Sequence, residues 1–392
     1  MIKIDNKSNC CGCTACESIC AHNAITMQPD ALGFLYPWAD ASKCVECGLC
    51  EKVCQFHSSY KRYDNYDEPL VYALRHKEQQ QLVRSQSGGA FFGIARHILN
   101  NNGVVYGAAF DSTWKVSHQK ATDTDELEKL RMSKYVQSDM RGVYKQVREE
   151  LRQGQTVLFS GTACQVAGLK AYIPQRLHEN LICVDIVCHG VPSPKVWTDY
   201  IDYLQKRYKS RIVKACFRDK RFGWHGAKET FKFENGTEVV RRTSNHLYFG
   251  GFSKRESCVN CQFTNLKRVG DITVGDFWGI PKDSPFAKDN KGVSLALINS
   301  AKGKEIFELI KNEYITEESN TVDCLQPQLQ YPSKMSPLHD AFVEDYSKNG
   351  FLYVGKKYGD MGLKFKVKDF LGRIKTFGGN TLRYLKIKKT KQ

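Results

Sequence analysis

The N-terminal segment contains two copies of the spacing Cys-x-x-Cys-x-x-Cys-x-x-x-Cys. The first copy consists of Cys10, Cys13, Cys16 and Cys20, and the second of Cys44, Cys47, Cys50 and Cys54. In bacterial ferredoxins three thiolates of one copy hold an iron-sulfur cube, and the fourth holds the cube of the other copy. The spacing therefore predicts two 4Fe-4S clusters and single-electron transfer. It also predicts that Cys54 completes the first cluster and that Cys20 completes the second.

A pair of zinc sites is the alternative for these thiols. Zinc proteins usually separate two Cys-x-x-Cys pairs by a longer segment, whereas each copy here places four thiols within eleven residues. The spacing therefore favours iron. The proline that normally follows the fourth cysteine is replaced by Ala21 and Gln55. Cys11 is an additional thiol inside the first copy, and we expect it to have no ligand role.

Four further cysteines predict a third cluster. Cys258 and Cys261 form a Cys-x-x-Cys pair, which alone serves zinc, redox exchange or no function. Cys164 and Cys188 each follow a predicted strand, and α/β sheets build sites where neighbouring parallel strands end. We therefore expect the four thiols to converge on one 4Fe-4S cluster. The cysteines predicted to be small core residues are Cys183, Cys216 and Cys324.

The elements that must position these residues follow from the pattern of apolar residues. After a polar linker that ends near Glu68, predicted strands and helices alternate from Val71 to Tyr208, which favours an α/β sheet covered by helices. Asn235-Gly236 then predicts a hairpin turn in a β-rich region. The predicted fold class is a small two-cluster ferredoxin-like domain followed by a mixed α/β domain with a β-rich C-terminal part. The predicted domains are residues 1–60, 69–345 and a basic tail, 346–392.

A helix is predicted to begin after Ser87-Gly88-Gly89. Backbone N–H groups at such a helix start can bind a phosphate, because no side chain blocks them. Glycine-rich helix starts are common, so this feature alone does not distinguish a phosphate site from an ordinary turn.

Five segments carry a resemblance to a known family. They are Ser85–Ala90, Met132–Ser138, Ser160–Leu169, Val187–Ser193, and Cys258–Cys261 with Gly270–Gly279. In this order they resemble motifs of the coenzyme F420 hydrogenase/dehydrogenase beta-subunit family. The resemblance covers about residues 70–340. It implies a FAD-binding oxidoreductase domain with its own 4Fe-4S cluster, preceded by the ferredoxin segment as in many members.

The resemblance also implies site residues. Those implied to contact the flavin are Ser87, Gly88, Gly89, Lys134, Tyr135, Gln137 and Ser138. Those implied to bind the third cluster are Cys164, Cys258 and Cys261. Cys188 is the expected fourth ligand and His189 the alternative, since imidazole replaces thiolate at some iron centres.

Several of these assignments have a plainer alternative. Thr162-Ala163-Cys164 differs from the Thr-Pro-Cys usual in the family, and Lys134 has a second interpretation as a surface cation. The candidate proton donors of the site are His189, His225 and Asp276. A lone His or Asp beside a glycine is also a common hydrogen-bonded structural residue.

These parts indicate an iron-sulfur flavoprotein oxidoreductase. A cluster carries one electron at a time, most organic substrates accept two, and a flavin does both. We expect ferredoxin or another partner protein to exchange electrons with the N-terminal clusters, and FAD to act on a small molecule that the sequence does not identify. The alternative is an electron-transfer subunit of a larger complex with no organic substrate of its own. The Cys-x-x-x-Cys-x-x-Cys order of radical adenosylmethionine chemistry does not occur in the sequence.

The composition limits the setting. The chain has 58 Lys and Arg against 42 Asp and Glu, a net charge of +16, and residues 351–392 hold twelve of these cations and two acidic residues. The terminal segment from Lys364 suits an anionic membrane surface or an acidic partner, or is simply a solvated tail. No nucleic-acid-binding motif accompanies this charge. The sequence shows no leader and no apolar span of about 18 residues, which predicts a cytoplasmic protein. Sixteen cysteines there favour metal ligation in an organism living with little oxygen.

Overall fold

Two short helices and a two-stranded ribbon form the N-terminal module in the computed structural model, which describes residues 1–60, 65–363 and 365. The elements of this module are α1 (Ala15–Ile19), β1 (Ile25–Pro29), β2 (Leu35–Ala39) and α2 (Leu49–Lys52). The strands β1 and β2 pair in antiparallel register. Cys16 lies in α1 and Cys50 in α2, so the third cysteine of each copy stands on a short helix.

The loop around the second cysteine has the same backbone shape in both copies. The residues on either side of that cysteine are left-handed: Gly12 (φ 68°) and Thr14 (φ 68°) in the first copy, Glu46 (φ 52°) and Gly48 (φ 72°) in the second. This conformation is uncommon outside glycine and persists where the surrounding structure requires it. In the second copy the Glu46 N–H donates to the sulfur of Cys44 at 3.4 Å. The repeat in the sequence is therefore also a repeat in three dimensions.

A mixed sheet forms the centre of the rest of the chain. The strands after the module are β3 (Leu70–His76), β4 (Val104–Phe110), β5 (Val116–Ala121), β6 (Val157–Thr162), β7 (Leu181–Ile186), β8 (Ile212–Cys216), β9 (Glu229–Phe233), β10 (Glu238–Arg241), β11 (Ile272–Asp276), β12 (Ser294–Ile298) and β13 (Tyr314–Ser319). Eight of them form one sheet in the order β13-β3-β12-β11-β7-β6-β4-β5, and β8 to β10 form a separate antiparallel sheet. The predicted mixed α/β class is confirmed.

The central strands of the large sheet run parallel, and this positions the site. In the pairing of β6 with β7, Val157 lies opposite Leu181 and Thr162 opposite Ile186. The strand β11 is parallel to β7 on its other side. The carboxyl ends of β6, β7 and β11 therefore meet at one edge of the sheet, which we call the carboxyl edge.

Helices pack around the two sheets. They are α3 (Gln79–Val83), α4 (Ala90–Asn100), α5 (Thr124–Leu130), α6 (Val143–Arg152), α7 (Ala163–Tyr172), α8 (Pro194–Tyr208), α9 (Thr243–Phe249), α10 (Ala301–Ile310) and α11 (His339–Lys357). The start of α8 is capped by Ser193, whose hydroxyl accepts the Val196 N–H at 3.0 Å, and Pro194 occupies its first turn. In the part of the chain that the structure describes, no helix combines the length and apolarity needed to cross a bilayer.

Four elements were not expected from the sequence. The strands β5 and β13 are the two edge strands of the large sheet. Edge strands face solvent on one side and carry polar residues, so their apolar signal is weak. The helices α9 and α11 also lacked a clear pattern, and α11 contains Gly350 with a φ of 72° at a kink.

The packed part of the chain extends past residue 345, where the basic tail was expected to begin. The helix α11 continues to Lys357, and Phe351 and Val354 are buried in the same hydrophobic cluster as Leu204 of α8. The basic segment 364–392, apart from residue 365, lies outside the described residues. Residues 61–64 of the predicted linker also lie outside them.

The N-terminal module shares a hydrophobic core with the α/β domain. Ala15 and Val53 of the module belong to one buried cluster with Tyr144 of α6 and Val166 of α7. Phe34, after β1, packs into a second cluster that surrounds α8. Because dense packing resists displacement, this contact holds the module at a set position relative to the carboxyl edge.

Candidate functional site

The thiols of the N-terminal module line two small cavities. The inner cage is lined by Cys10, Cys13, Cys16 and Cys54. The outer cage is lined by Cys20, Cys44, Cys47 and Cys50. The structure thus brings together the two sets that the interlocked ferredoxin spacing predicts, with the fourth cysteine exchanged between the copies.

The two cages differ in exposure. Cys10 and Cys16 of the inner cage are buried, whereas Cys47 of the outer cage is exposed. Burial raises the pKa of Cys54 to about 11. A bound metal reverses this effect, because ligating thiolates are held deprotonated. No three His, Cys, Asp or Glu side chains in the described part of the chain are gathered tightly enough, as they stand, to hold a metal ion.

A third set of thiols meets at the carboxyl edge. The third cage is lined by Cys164, Cys188, Cys258 and Cys261. Cys164 lies at the start of α7 directly after β6, and Cys188 follows β7, so the parallel pairing of these strands brings both to the same edge. The loop that carries Cys258 is held there by the Val191 N–H, which donates to the Cys258 sulfur at 3.4 Å.

His189, the alternative fourth ligand, lies on the other side of this wall. Cys188 lines both the third cage and a larger pocket, whereas His189 lines only the larger pocket. The structure therefore places Cys188, and not His189, among the thiols of the third cage.

Cys11, for which no role was expected, lies between the inner and third cages and lines both cavities. Gln55 Nε2 donates to the Cys11 sulfur at 3.1 Å and to the Cys164 carbonyl oxygen at 2.8 Å. A hydrogen bond with Cys11 lowers the pKa of Cys164 to about 7. Spacing could not reveal this position, because Cys164 is distant from Cys11 in the sequence.

The three remaining cysteines do not line these cages. Cys183 and Cys324 are buried and Cys216 is half-buried. Burial raises the pKa of Cys183 to about 12, which suits a neutral thiol inside β7.

A pocket of about 430 Å³ opens at the carboxyl edge. Ligand pockets typically have volumes of about 300–1,000 Å³, and α/β sheets bind ligands at this edge. The predicted site residues that line it are Ser87, Gly89, Lys134, Tyr135, Ser138, His189, His225 and Asp276. Residues chosen from distant parts of the sequence therefore meet in one pocket.

Two residues implied to contact the flavin do not line this pocket. A Cβ on Gly88 would lie 1.9 Å from the Leu74 carbonyl oxygen of β3, so close backbone packing requires glycine there. Gln137 turns toward the N-terminal module, where its Nε2 donates to the Cys11 carbonyl oxygen at 2.7 Å.

The start of α4 has fewer unpaired N–H groups than a phosphate cradle needs. The Ser294 hydroxyl oxygen accepts the Gly88 N–H at 2.9 Å and the Ala90 N–H at 3.4 Å. The Ser87 hydroxyl donates to the Val293 carbonyl oxygen at 2.5 Å. Contacts within the chain therefore use much of the hydrogen-bonding capacity on which the phosphate prediction was based.

The three candidate proton donors have different surroundings. Burial, followed by the nearby Lys254 cation, lowers the pKa of His189 to about 4, so its imidazole is neutral at pH 7. Asp276 accepts hydrogen bonds from Arg218 at 2.5 Å and from the Trp224 indole at 2.6 Å, which holds it in place. His225 lies against the ring of Trp224, with centroids 4.8 Å apart.

Lys134 is not an ordinary surface cation. Its ammonium donates to the carbonyl oxygens of Lys129 at 2.8 Å and Arg131 at 2.6 Å. Burial lowers the pKa of Lys134 to about 7. It is therefore a group of the pocket wall whose protonation changes near neutral pH.

Several lining residues were missed because no sequence motif marks them. They include Gln86, His118, Arg218, Phe249, Trp278 and Gln326. Within the described part of the chain, the buried side-chain oxygens of Gln86 and Gln326 have no hydrogen-bond partner. Such oxygens are costly unless a donor reaches them, so the pocket is suited to a ligand with N–H or O–H groups.

Comparisons with known proteins agree with these features. Residues 9–58 match the 4Fe-4S dicluster domain, and residues 154–323 match the family of the C-terminal part of the coenzyme F420 hydrogenase/dehydrogenase beta subunits. The F-type subunit of the F(420)H(2) dehydrogenase of Methanosarcina mazei is 20% identical over 322 residues, which cover 78% of this chain and 83% of that protein. A solved F420-reducing NiFe hydrogenase complex from Methanosarcina barkeri, studied by xenon derivatization, aligns with a TM-score of 0.46 and 16% identity, covering 76% of this chain and 95% of the matched chain.

The cages and the two matched regions define an iron-sulfur electron-transfer protein related to oxidoreductases. The chain belongs to the coenzyme F420 hydrogenase/dehydrogenase beta-subunit family and carries a 4Fe-4S dicluster domain at its N-terminal end. The family resemblance drawn from the five motifs is confirmed.

We expect Gly168→Ala to remove iron from the inner cage. The new Cβ would lie 2.8 Å from the Cys13 sulfur, which a bound cube holds in place. Alanine favours helix over glycine, so α7 itself should not be weakened. Iron analysis should show a loss of about four atoms per chain. In the control Gly107→Ala the nearest atoms, those of Leu130, lie 3.5 Å away, and iron should be retained. Full iron in Gly168→Ala would contradict the assignment.

His118 of β5 makes the stability of the fold sensitive to acid. It is buried between the Ser138 hydroxyl at 2.8 Å and the Ser160 carbonyl oxygen at 2.9 Å, and burial lowers its pKa to about 4. In the unfolded chain the pKa returns to about 6.5. As the pH falls below 6.5 the unfolded chain binds a proton that the folded chain does not, so the folded state is destabilised.

His118→Gln should lose less stability than the wild type between pH 7.5 and pH 5.5, by roughly 1.4 kcal/mol. Anaerobic urea unfolding at the two pH values measures this difference. His97→Gln, on a half-buried face of α4, is the control and should follow the wild type. An unchanged pH dependence in His118→Gln would show that the histidine is not held neutral by the fold.

Proposed function

We propose that this protein is a flavin-dependent oxidoreductase that relays single electrons between a ferredoxin-like partner protein and FAD. In this proposal FAD lies in the pocket at the carboxyl edge and reduces or oxidises a small organic molecule. The observation that carries the proposal is a shared wall: the residues that line both the pocket and the third cage are Thr162, Gln165, Cys188, Gly190 and Val191.

The three cages and the pocket form a continuous route. The outer cage has an exposed cysteine, Cys47, and is the proposed contact for the partner protein. The inner cage is separated from the third cage by Cys11, which lines both. A third 4Fe-4S cluster held by Cys164, Cys188, Cys258 and Cys261 would then stand directly beside the pocket.

The pocket residues are suited to FAD in volume and hydrogen bonding. A bound flavin would exchange single electrons with a cluster and electron pairs with a substrate. The unpaired side-chain oxygens of Gln86 and Gln326 are placed to accept hydrogen bonds from its ring system. Gly89, Tyr135 and Ser138 line the same pocket and keep their proposed roles as flavin contacts.

Lys134 is the group proposed to exchange a proton during the reaction. Two-electron chemistry at carbon usually moves a proton as well, and a general acid works best with a pKa near the working pH. The pKa of Lys134 is about 7, whereas His189 is neutral and Asp276 is paired with Arg218. His225 stands near the pocket mouth beside Trp278, whose ring is partly exposed, and both are available to contact a substrate.

An electron-transfer subunit without its own substrate is the second candidate. The relative from Methanosarcina mazei is named as one subunit of a dehydrogenase, which favours this alternative. Anaerobic turnover of any small molecule by the isolated chain would decide for the first candidate.

We expect the purified protein to contain about twelve iron atoms and one flavin per chain. Anaerobic purification followed by iron, sulfide and flavin analysis measures this. Cys188→Ser should lower the iron to about eight atoms, because only the third cluster loses a ligand. The control is Cys216→Ser, a half-buried cysteine outside the cages, which should keep all of the iron. A wild-type content of about eight irons would remove the third cluster from the proposal.

The double variant Gln86→Leu/Gln326→Leu should weaken flavin binding by at least about tenfold, since each lost hydrogen bond costs about 1 kcal/mol. Titration of deflavinated protein with FAD, followed by fluorescence, measures the dissociation constant. Gln119→Leu is the control, because Gln119 bonds Phe110 and Ser117 and does not line the pocket. Equal affinities in the double variant and the wild type would place the flavin elsewhere.

A further inference from the structure

We propose that Arg255 raises the reduction potential of the inner cage above that of the outer cage, so that electrons entering at the surface move inward. Arg255 acts here as a positioning and charge-supplying residue, not as a ligand. The inference rests on the dicluster domain and requires neither the third cluster nor the flavin.

The side chain of Arg255 is buried at the contact between the module and the α/β domain, with 0% of its surface exposed. Its Nε donates to the Cys10 carbonyl oxygen at 2.7 Å, and its Nη2 lies 3.6 Å from the Cys10 sulfur. The same Nη2 donates to the Leu35 carbonyl oxygen at 2.9 Å, and Nη1 donates to Gln137 Oε1 at 3.0 Å. The guanidinium is therefore held against one ligand of the inner cage.

Neighbouring residues are shaped around this cation. The guanidinium carbon lies 4.2 Å from the ring centre of Tyr36 and 5.4 Å from that of Phe34, within the range of cation–π attraction. A Cβ on Gly12 would lie 2.8 Å from Nη1, so glycine makes room for the guanidinium. Arg255 also lines the cavity of the third cage.

No carboxylate balances the charge of Arg255 in the described part of the chain. Its partners there are carbonyl oxygens, an amide oxygen and the sulfur of Cys10. A buried cation without a counter-charge is strongly unfavourable. Thiolates around an iron-sulfur cube supply that negative charge, and they supply more of it after the cube takes up an electron. Arg255 therefore stabilises the reduced form of the inner cage, which raises its potential.

Among the described residues, the outer cage has no equivalent buried cation in its lining. Its cavity is lined by Met1, whose ammonium is paired with Glu51 at 3.1 Å, and both groups are about one-third exposed. Water and the paired carboxylate screen this charge. The two cages of the repeat are thus alike in their thiols and different in their electrostatic surroundings.

Lys254 provides a matched control beside Arg255. It is equally part of a buried segment, with 6% of its surface exposed, and forms an isolated bridge with Pro192. In extended backbone adjacent side chains point to opposite faces, and the Lys254 ammonium lies near the Tyr248 ring instead of the inner cage. Removing its charge tests whether any buried cation lost from this segment has the same effect.

The experiment is an anaerobic redox titration of the full chain, followed by electron paramagnetic resonance of the reduced clusters. Cys47→Ser, which alters only the outer cage, identifies the signal of that cage. In the wild type the inner cage should have the higher midpoint potential. Arg255→Met and Arg255→Gln should lower the midpoint of the inner cage and leave that of the outer cage unchanged. Arg255→Lys should restore part of the shift, and Lys254→Met should leave both dicluster midpoints at their wild-type values.

Two results would overturn the proposal. The first is a wild-type protein in which the inner cage has a midpoint equal to or below that of the outer cage, a result that does not depend on any Arg255 variant folding. The second is a neutral Arg255 variant with full iron and an unchanged inner midpoint. Iron and flavin contents of the wild type are measured separately, so loss of the flavin proposal would leave this test intact.

Discussion

Iron-sulfur cubes require four thiolates to be gathered and kept from water, and the surrounding polypeptide must hold them there. In the N-terminal module this is done by paired loops with left-handed residues beside the second cysteine and by short helices that carry the third. At the carboxyl edge it is done by the parallel pairing of β6 and β7, which brings Cys164 and Cys188 together. Two different kinds of local structure therefore meet the same chemical requirement.

The shared core between module and α/β domain turns separate cages into a connected set. A ferredoxin-like module attached only by a flexible linker would present its clusters at variable distances from the sheet. Here Ala15 and Val53 are packed among residues of α6 and α7, and Gln55 reaches from the module to Cys11 and to the Cys164 carbonyl oxygen. The packing fixes the inner cage beside the third cage, which is the arrangement that electron relay needs.

Charge is distributed unevenly along this set. The inner cage lies beside a buried guanidinium with no carboxylate partner among the described residues, whereas the outer cage lies beside a screened ion pair. Nearly identical cysteine loops can therefore have different redox properties because of residues outside the repeat. The pocket continues the trend, since burial holds His189 neutral and shifts Lys134 to a pKa of about 7.

Local spacing made much of the site predictable. Cysteine ligands must be close in sequence to cover one face of a cube, so the eight thiols of the module could be assigned to two cages directly. Strands with strong apolar runs and helices with clear caps, such as α8 from Pro194 to Tyr208, were also predictable, because the controlling interactions lie within a few residues. The edge strands β5 and β13 were not, since their pairing partners and not their own residues make them strands.

The sequence by itself determined the chemistry of the thiols, the alternation of strands and helices and the family to which the chain belongs. Only the tertiary structure decided that Cys11 lies between two cages, that Gln137 serves the inner cage instead of the pocket, and that Arg255 is the buried cation there. The physical reason is that these contacts join residues more than a hundred positions apart. No local pattern records such contacts, because they arise from how the module and the sheet pack together.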